Sequence, residues 1–153
     1  MSLYEPNGKV MGIDLHLKLD LASQLAELNL PVGINLLEAS SVDESALAWV
    51  ASYINPEDRV MVILDSHHTH DHVLAELRAY SSLVTSGQFL IVGDTSVKDL
   101  AQATDRVRPW TVDANPHSAL EVFLEESSIF IRDPVVNRKL LTTFHPGGYL
   151  RKL

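Results

Sequence analysis

The chain has 153 residues, 46% of them apolar and 21% charged, which suits one domain with a packed core and is too short for two. Its net charge of −8 disfavours nucleic acid and anionic membrane as partners, because neutralising phosphate needs clustered Lys and Arg. With no cysteine there is neither a disulfide nor a thiolate site, so any metal must be held by oxygen or imidazole. No apolar run approaches the roughly 18 residues of a membrane span, and no charged-then-apolar leader opens the chain, so the expected location is cytoplasmic.

Pro6 and Gly8 punctuate a turn, after which Lys9–Ile13 reads as a short strand ending at Asp14. His16–Asp20 is irregular. Leu21, Leu25 and Leu28 recur at helical spacing within 21–30, and Pro31 stops that helix. Ile34–Leu37 is the next predicted strand, ending at Glu38. Ser41-Val-Asp-Glu44 fits a capping box, which predicts a helix carrying Leu47, Val50 and Ile54 and ending before Pro56.

Arg59 to Asp94 then reads as strand, loop, helix, loop, strand. Val60–Leu64 is continuously apolar, the pattern of a strand buried on both faces of a parallel sheet, and it stops at Asp65. Thr69 fits an N-cap, and Val73, Leu74, Leu77 and Tyr80 follow at helical spacing. Ser86-Gly87 closes the unit, and Gln88–Val92 is a second buried strand ending in Gly93-Asp94. Strand and helix have alternated three times by this point, which argues for an α/β domain with a parallel sheet.

Beyond Asp94 the periodicity weakens. Residues 95–115, with Arg106, Arg108, Pro109 and Trp110, read as a long loop with at most one helical turn; such loops are often lids or binding loops. Pro116 opens a helix carrying Ala119, Leu120, Phe123 and Leu124. Ile129–Ile131 and residues 140–144 read as two short antiparallel strands joined through Asp133-Pro134 to Lys139. His145-Pro-Gly-Gly-Tyr149 reads as a turn and Arg151-Lys152 as a basic end.

In an open parallel sheet, ligands bind outside the carboxyl ends of the strands. Asp65 and Asp94 both end strands there, fit to orient a metal or a substrate hydroxyl, or simply to cap the following loop. His67, His68, His70 and His72 crowd the intervening loop. His68 and His72 are four apart, and with Asp65 they could form a two-histidine, one-carboxylate site for zinc or iron. A solvated histidine-rich loop fits the same residues, and His67 and His70 are read as surface. Arg106, Arg108 and Trp110 suit an anionic or sugar-bearing substrate, or a surface loop with one half-buried Trp. Tyr80, Leu77 and Phe123 read as core.

The stretches GKVMGID, LDSHHTHDHVLAELRAYSSLVTSGQFLIVGDT, NPHSALEVFL and TTFHPGGYLRK, spanning Lys9 to Lys152, resemble the cephalosporin hydroxylase / rhamnosyl O-methyltransferase family of S-adenosylmethionine-dependent methyltransferases. The resemblance implies a class I, Rossmann-like sheet, mostly parallel with a C-terminal antiparallel hairpin, in a single truncated methyltransferase-like domain over residues 1–153. The family's first strand and its glycine-rich turn would precede GKVMGID and are missing here. That strand lies between those read at 9–13 and 60–64. These two strands therefore pair directly, or a segment of another chain fills the gap, or the chain is a fragment. A filling partner implies a homo-oligomer, in the simplest case a dimer.

The resemblance further implies S-adenosylmethionine as cofactor, with Asp14 on the ribose hydroxyls and Glu38, Ala39 and Ser40 meeting the adenine. Asp65 and Asp94 would hold Mg²⁺, and Gly93 stands where the family commonly places another carboxylate. His68 corresponds to the general base, a place where lysine often serves. An imidazole with a pKa near 6.5 takes a proton from a hydroxyl at neutral pH, and the adjacent helix N-terminus disfavours its cationic form. The expected function is methyl transfer to a hydroxyl of a small molecule, namely a natural product, sugar or glycolipid. The alternative is a non-catalytic remnant serving as an assembly or regulatory partner; a histidine-dependent hydrolase or oxygenase ranks last.

Overall fold

The computed structural model describes residues 8–30, 32–100, 107–140 and 142–153. The turn at Pro6, the helix stop at Pro31, and Arg106 lie outside the described residues. The structure is α/β and divides into two compact units, one ending at Tyr53 and the other beginning at Ile54.

In the first unit, β1 (Lys9–Asp14) and β2 (Gly33–Glu38) pair in parallel, with Lys9 opposite Gly33 and Asp14 opposite Glu38. They are connected through α1 (Leu21–Glu27), shorter than the leucine spacing predicts. Asn29 takes a left-handed φ of 45° and ends it, the usual αL device at a helix C-terminus. Helix α2 (Glu44–Ser52) starts with Asp43 as N-cap, so the box expected at Ser41 does not begin the helix, and Ile54 lies beyond its end. Ala46 and Val50 are its buried residues.

The second unit contains β3 (Val62–Leu64), α3 (His70–Tyr80), β4 (Phe89–Val92), α4 (Val97–Leu100), α5 (Pro116–Glu126), β5 (Phe130–Arg132), α6 (Pro134–Lys139) and β6 (Tyr149–Lys152). The sheet order is β3-β4-β6-β5, with the first pair parallel and the other two antiparallel. This sheet is mixed where a mostly parallel one was expected. Its core joins Leu64, Leu90, Val92 and Leu150 to the stripes of α3 (Val73, Leu74, Leu77, Tyr80) and α5 (Ala119, Leu120, Phe123), all buried as the helical spacing predicts. Thr69 is the N-cap of α3. Asn115 caps α5 more thoroughly. Its side-chain oxygen accepts from the N–H groups of His117 and Ser118, Ser118 Oγ accepts from the Asn115 N–H, and Asn115 Nδ2 donates to the carbonyls of Thr111 and Val112.

Two expectations need correction. Val60–Leu64 is not buried on both faces: β3 lies at the edge of its sheet, and Met61 and Ile63 are 51% and 59% exposed. The antiparallel partner of β5 is Tyr149–Lys152, not 140–144. Asp133 and Pro134 start a helix there, with the Asp133 carboxylate accepting from the N–H groups of Val135 and Val136. Leu141 lies outside the described residues, and Leu140 and Phe144 are exposed. The basic end forms a strand because its charges are used: Lys152 Nζ donates to the carbonyls of Ser81, Ser82 and Val84, and Arg151 pairs with Asp133 at 3.2 Å.

Asn115→Ala removes a cap and the loop anchors together and is expected to cost about 1–2 kcal/mol, read from the urea midpoint. The backbone N–H of Val136, then that of Val135 and the Arg151 guanidinium, hold the Asp133 carboxyl below its ordinary range. A depressed carboxyl stabilises the fold above the unfolded-state value of about 3.9 and loses that contribution as pH falls through the folded value. Urea titrations of wild type and Asp133→Ala should therefore differ by a constant amount above pH 5 and converge in acid.

Candidate functional site

Strands β3 and β4 run side by side and finish together. Beyond Leu64 and Val92 the Gly93 N–H donates to the Leu64 carbonyl at 2.7 Å. The strand ends are so close that a Cβ on residue 93 would stand 2.7 Å from that carbonyl oxygen and 2.8 Å from Asp65 Oδ1. Glycine is what permits the approach. The chain then turns at Asp94 with φ 48°, a left-handed conformation that Asp tolerates better than most residues.

The loop after β3 carries His68 to the same place. His68 Nε2 lies 3.0 Å from Asp94 Oδ2 and 3.9 Å from Asp65 Oδ1. One donor atom from each of the three residues falls within 4.8 Å of the others, the one such group among the described residues. The side chains of His68 and Asp94 are 23% and 29% exposed and that of Asp65 is 65% exposed, so the cluster opens to solvent on the Asp65 side. Asp65 and Asp94, from neighbouring strand ends, and His68, from the loop after β3, are thus brought together.

Glu76 stands behind this loop. It is 2% exposed on the inner face of α3, accepts from Ser66 Oγ at 2.7 Å, and lies 3.5 Å from His72 Nε2. Burial, and secondarily the charge of Glu76, push the Tyr80 hydroxyl above its ordinary pKa. A buried carboxylate is tolerated only where it is hydrogen-bonded, so Glu76 ties the residue next to Asp65 to the helix. The stripe Val73, Leu77, Tyr80 already marked this position, because Glu76 falls at i+3 from Val73, where an apolar residue would sit.

The alternative grouping of His68, His72 and Asp65 for zinc or iron does not form among the described residues. Helix α3 begins at His70, so His68 precedes it, and His72 turns to Glu76 instead of joining Asp65 and His68. His67 is exposed as expected, with Nδ1 at 2.9 Å from Thr69 Oγ1. His70 is half-buried, and its Nδ1 lies 2.7 Å from Ser118 Oγ and joins α3 to the capped start of α5. The loop before α5 also reaches the cluster. The Trp110 ring stands edge-on to His68 at 5.3 Å, and the Arg108 guanidinium lies 5.1 Å from the Trp110 centroid.

Asp14, Glu38 and Ser40 all belong to the first unit. Asp14 and Glu38 sit opposite one another at the carboxyl ends of β1 and β2. Asp14 Oδ1 accepts from the His16 N–H at 3.0 Å, and Glu38 Oε2 accepts from the Leu17 N–H at 2.9 Å. Ser40 follows in the next loop, its carbonyl accepting from the Asp43 N–H. A cavity of about 520 Å³ in this unit is lined by α1, β2 and the turn between them, and none of these three residues lines it.

Residues 1–153 match the family described as Rhamnosyl O-methyltransferase/CmcI. The chain belongs to this family. The rhamnosyl O-methyltransferase of Mycobacterium bovis (strain BCG / Pasteur 1173P2) is 28% identical over 116 residues, covering 74% of this chain and 45% of that protein. The rhamnosyl O-methyltransferase of Mycobacterium leprae (strain TN) is 27% identical over 145 residues, covering 93% and 58%. The chain spans about half the length of the curated relatives it matches. No solved structure gives a significant match. Among the described residues no helix is long and apolar enough to cross a membrane. Membership of the Rhamnosyl O-methyltransferase/CmcI family agrees with the resemblance carried by the central motif and the Pro-Gly-Gly-Tyr ending.

Gly93→Ala must part the strand ends or displace Asp65. A loss of about 1–3 kcal/mol in urea unfolding is expected, the range for inserting a methyl into a site with no room for it.

Proposed function

We propose that this chain is a methyltransferase domain of class I, Rossmann-like architecture, transferring a methyl group from S-adenosylmethionine to a hydroxyl of a small natural product, sugar or glycolipid in the cytosol. The observation that carries this reading is the meeting of Asp65, His68 and Asp94 at the carboxyl ends of adjacent parallel strands, in a chain of this family. A non-catalytic role draws no support from the comparisons.

The donor set fits a divalent cation. Mg²⁺ prefers octahedral oxygen ligands and keeps several waters, so Asp65 and Asp94 suffice as its protein ligands, with His68 close enough to reach a coordinated group. Such a cation would fix the acceptor hydroxyl and lower its pKa. Asp14, at the carboxyl end of β1, suits the ribose hydroxyls of the cofactor, with Glu38 and Ser40 toward its adenine.

His68 is the base. A carboxylate can only accept, so the proton between His68 and Asp94 sits on Nε2 and leaves Nδ1 with the free lone pair. Nδ1 takes the acceptor's hydroxyl proton, and Asp94 stabilises the imidazolium that results. Trp110 covers one edge of the ring and limits competing water. S-adenosylmethionine supplies an electrophilic methyl on a sulfonium, so the acceptor oxygen gains the methyl as the sulfur–carbon bond breaks. Self-association belongs to this reading, since Ile63 of edge strand β3 and Met61 just before it are exposed apolar residues.

Calorimetric titration of S-adenosylmethionine and S-adenosylhomocysteine, with and without Mg²⁺, tests the assignment. Saturable binding of both supports it, and silence at millimolar ligand overturns it. With an acceptor in hand, His68→Ala should lower turnover by about 10²–10⁴-fold with the fold intact. Asp65→Asn and Asp94→Asn should each weaken cation binding.

A further inference from the structure

Asp94 owes its placement to a segment 51 residues away. The turn 142–148 grips the end of β4 at four successive points. The Val92 N–H donates to the Gly148 carbonyl, the Asp94 N–H to His145 Nδ1 at 2.8 Å, Thr95 Oγ1 to the Pro146 carbonyl, and the Ser96 N–H to the Phe144 carbonyl. The fit is tight, since a Cβ on Gly148 would lie 2.3 Å from the Val92 carbonyl oxygen. Three of the four acceptors are backbone carbonyls. At Asp94 alone the acceptor is a side chain, and Asp94 alone of these residues has a left-handed φ.

The ring of His145 is itself held. The backbone N–H of His145 donates to Thr143 Oγ1 at 3.1 Å, Thr143 Oγ1 lies 3.1 Å from the Tyr149 hydroxyl, and the His145 and Tyr149 rings meet edge-on at 6.0 Å. Tyr149 opens β6, so the imidazole is fastened to the sheet that carries Asp94.

We propose that His145 is a positioning residue whose Nδ1, by accepting the Asp94 backbone N–H, fixes the left-handed turn that delivers the Asp94 carboxylate to His68 and Asp65. This rests on the role given to Asp94 above. A half-buried amide left without an acceptor and a non-glycine residue in a left-handed turn are each unfavourable. Removing the imidazole therefore removes what offsets the strain, and the turn relaxes with its carboxylate. His145 touches no substrate in this scheme; it acts through Asp94.

Three variants separate the hydrogen bond from the bulk of the ring. His145→Asn puts an amide oxygen where Nδ1 stands, His145→Gln carries it one bond too far, and His145→Ala removes it. Two readouts report on Asp94. The ¹⁵N shifts of the His68 ring sense the carboxylate at Nε2 with no metal present. Mn²⁺ affinity, measured from the paramagnetic resonance of the free ion, senses the Asp65–Asp94 pair. Circular dichroism and urea midpoints control for folding.

His145→Asn should keep the His68 ring signals and bind Mn²⁺ within about twofold of wild type. His145→Gln and His145→Ala should lose the ring signature and bind about tenfold more weakly, the effect of one net hydrogen bond. Unchanged His68 signals in folded His145→Gln or His145→Ala, or an Asn variant as impaired as these, would overturn the proposal. If His145→Ala fails to fold, the Asn–Gln comparison decides alone. A wild type that binds no Mn²⁺ would refute the cation reading, and the ring signals would still judge His145.

Discussion

The second unit depends on how closely β3 and β4 finish, and that closeness is set by a single 2.7 Å hydrogen bond from the Gly93 N–H to the Leu64 carbonyl. Strands in a sheet ordinarily diverge as they leave the ladder, because each turns toward its own following loop. Here the ladder is extended by one bond at a residue with no side chain. The two aspartates that follow therefore leave from almost the same point. A larger residue at 93 would have to displace either the Leu64 carbonyl or the Asp65 carboxylate, both in contact with the space its Cβ would fill. A carboxylate at 93 and strand ends this close are mutually exclusive. His68, from the loop after β3, makes up the third donor.

Holding three ionisable groups within 4.8 Å needs supports outside the cluster, and these come from three directions. Buried Glu76 fastens Ser66, and through it the start of the His68 loop, to α3. Trp110, from the loop that Asn115 anchors ahead of α5, stands against the His68 ring. The 142–148 turn holds the backbone on either side of Asp94. The first and last of these supports are hydrogen bonds, and the last joins segments 51 residues apart, which makes the arrangement specific. A pocket lined with apolar residues would tolerate small shifts of its walls, whereas these bonds fail once a donor and acceptor part by half an ångström or so.

Much of this was legible in the sequence, for identifiable reasons. Local periodicity located α3 and α5 and their buried stripes, since a helix that must bury one face repeats Val73, Leu77 and Tyr80, or Ala119, Leu120 and Phe123, at fixed spacing. Asp65 and Asp94 were recognisable because a carboxylate that abruptly ends an apolar run occupies a strand terminus. What the sequence hid was pairing between distant segments. Residues 140–144 and 149–152 are both short, mixed runs, and nothing local says that the second enters the sheet. Lys152 looks like a solvated tail until the carbonyls of Ser81, Ser82 and Val84 are placed around its ammonium. Likewise Val60–Leu64 looks doubly buried because hydrophobicity records what a strand could bury, and only the strand order shows β3 at an edge.

The histidines show the same limit from the other direction. Four of them within six residues suggest a metal-binding loop by count, yet each takes a different partner: Thr69 for His67, Asp94 for His68, Ser118 for His70 and Glu76 for His72. Their crowding reflects a tight loop-to-helix transition in which the backbone rotates by about 100° per residue once the helix starts, so neighbours in sequence point to different sides. Of the two that precede the helix, His67 meets Thr69 and His68 leans over the strand ends. The site is therefore selected by where α3 begins. Moving its N-terminus back toward Ser66 would wind His68 into the first helical turn and carry it away from Asp94. The N-cap at Thr69, with an extended backbone that keeps residues 65–69 out of the helix, is in this sense as much a part of the candidate site as the side chains that line it.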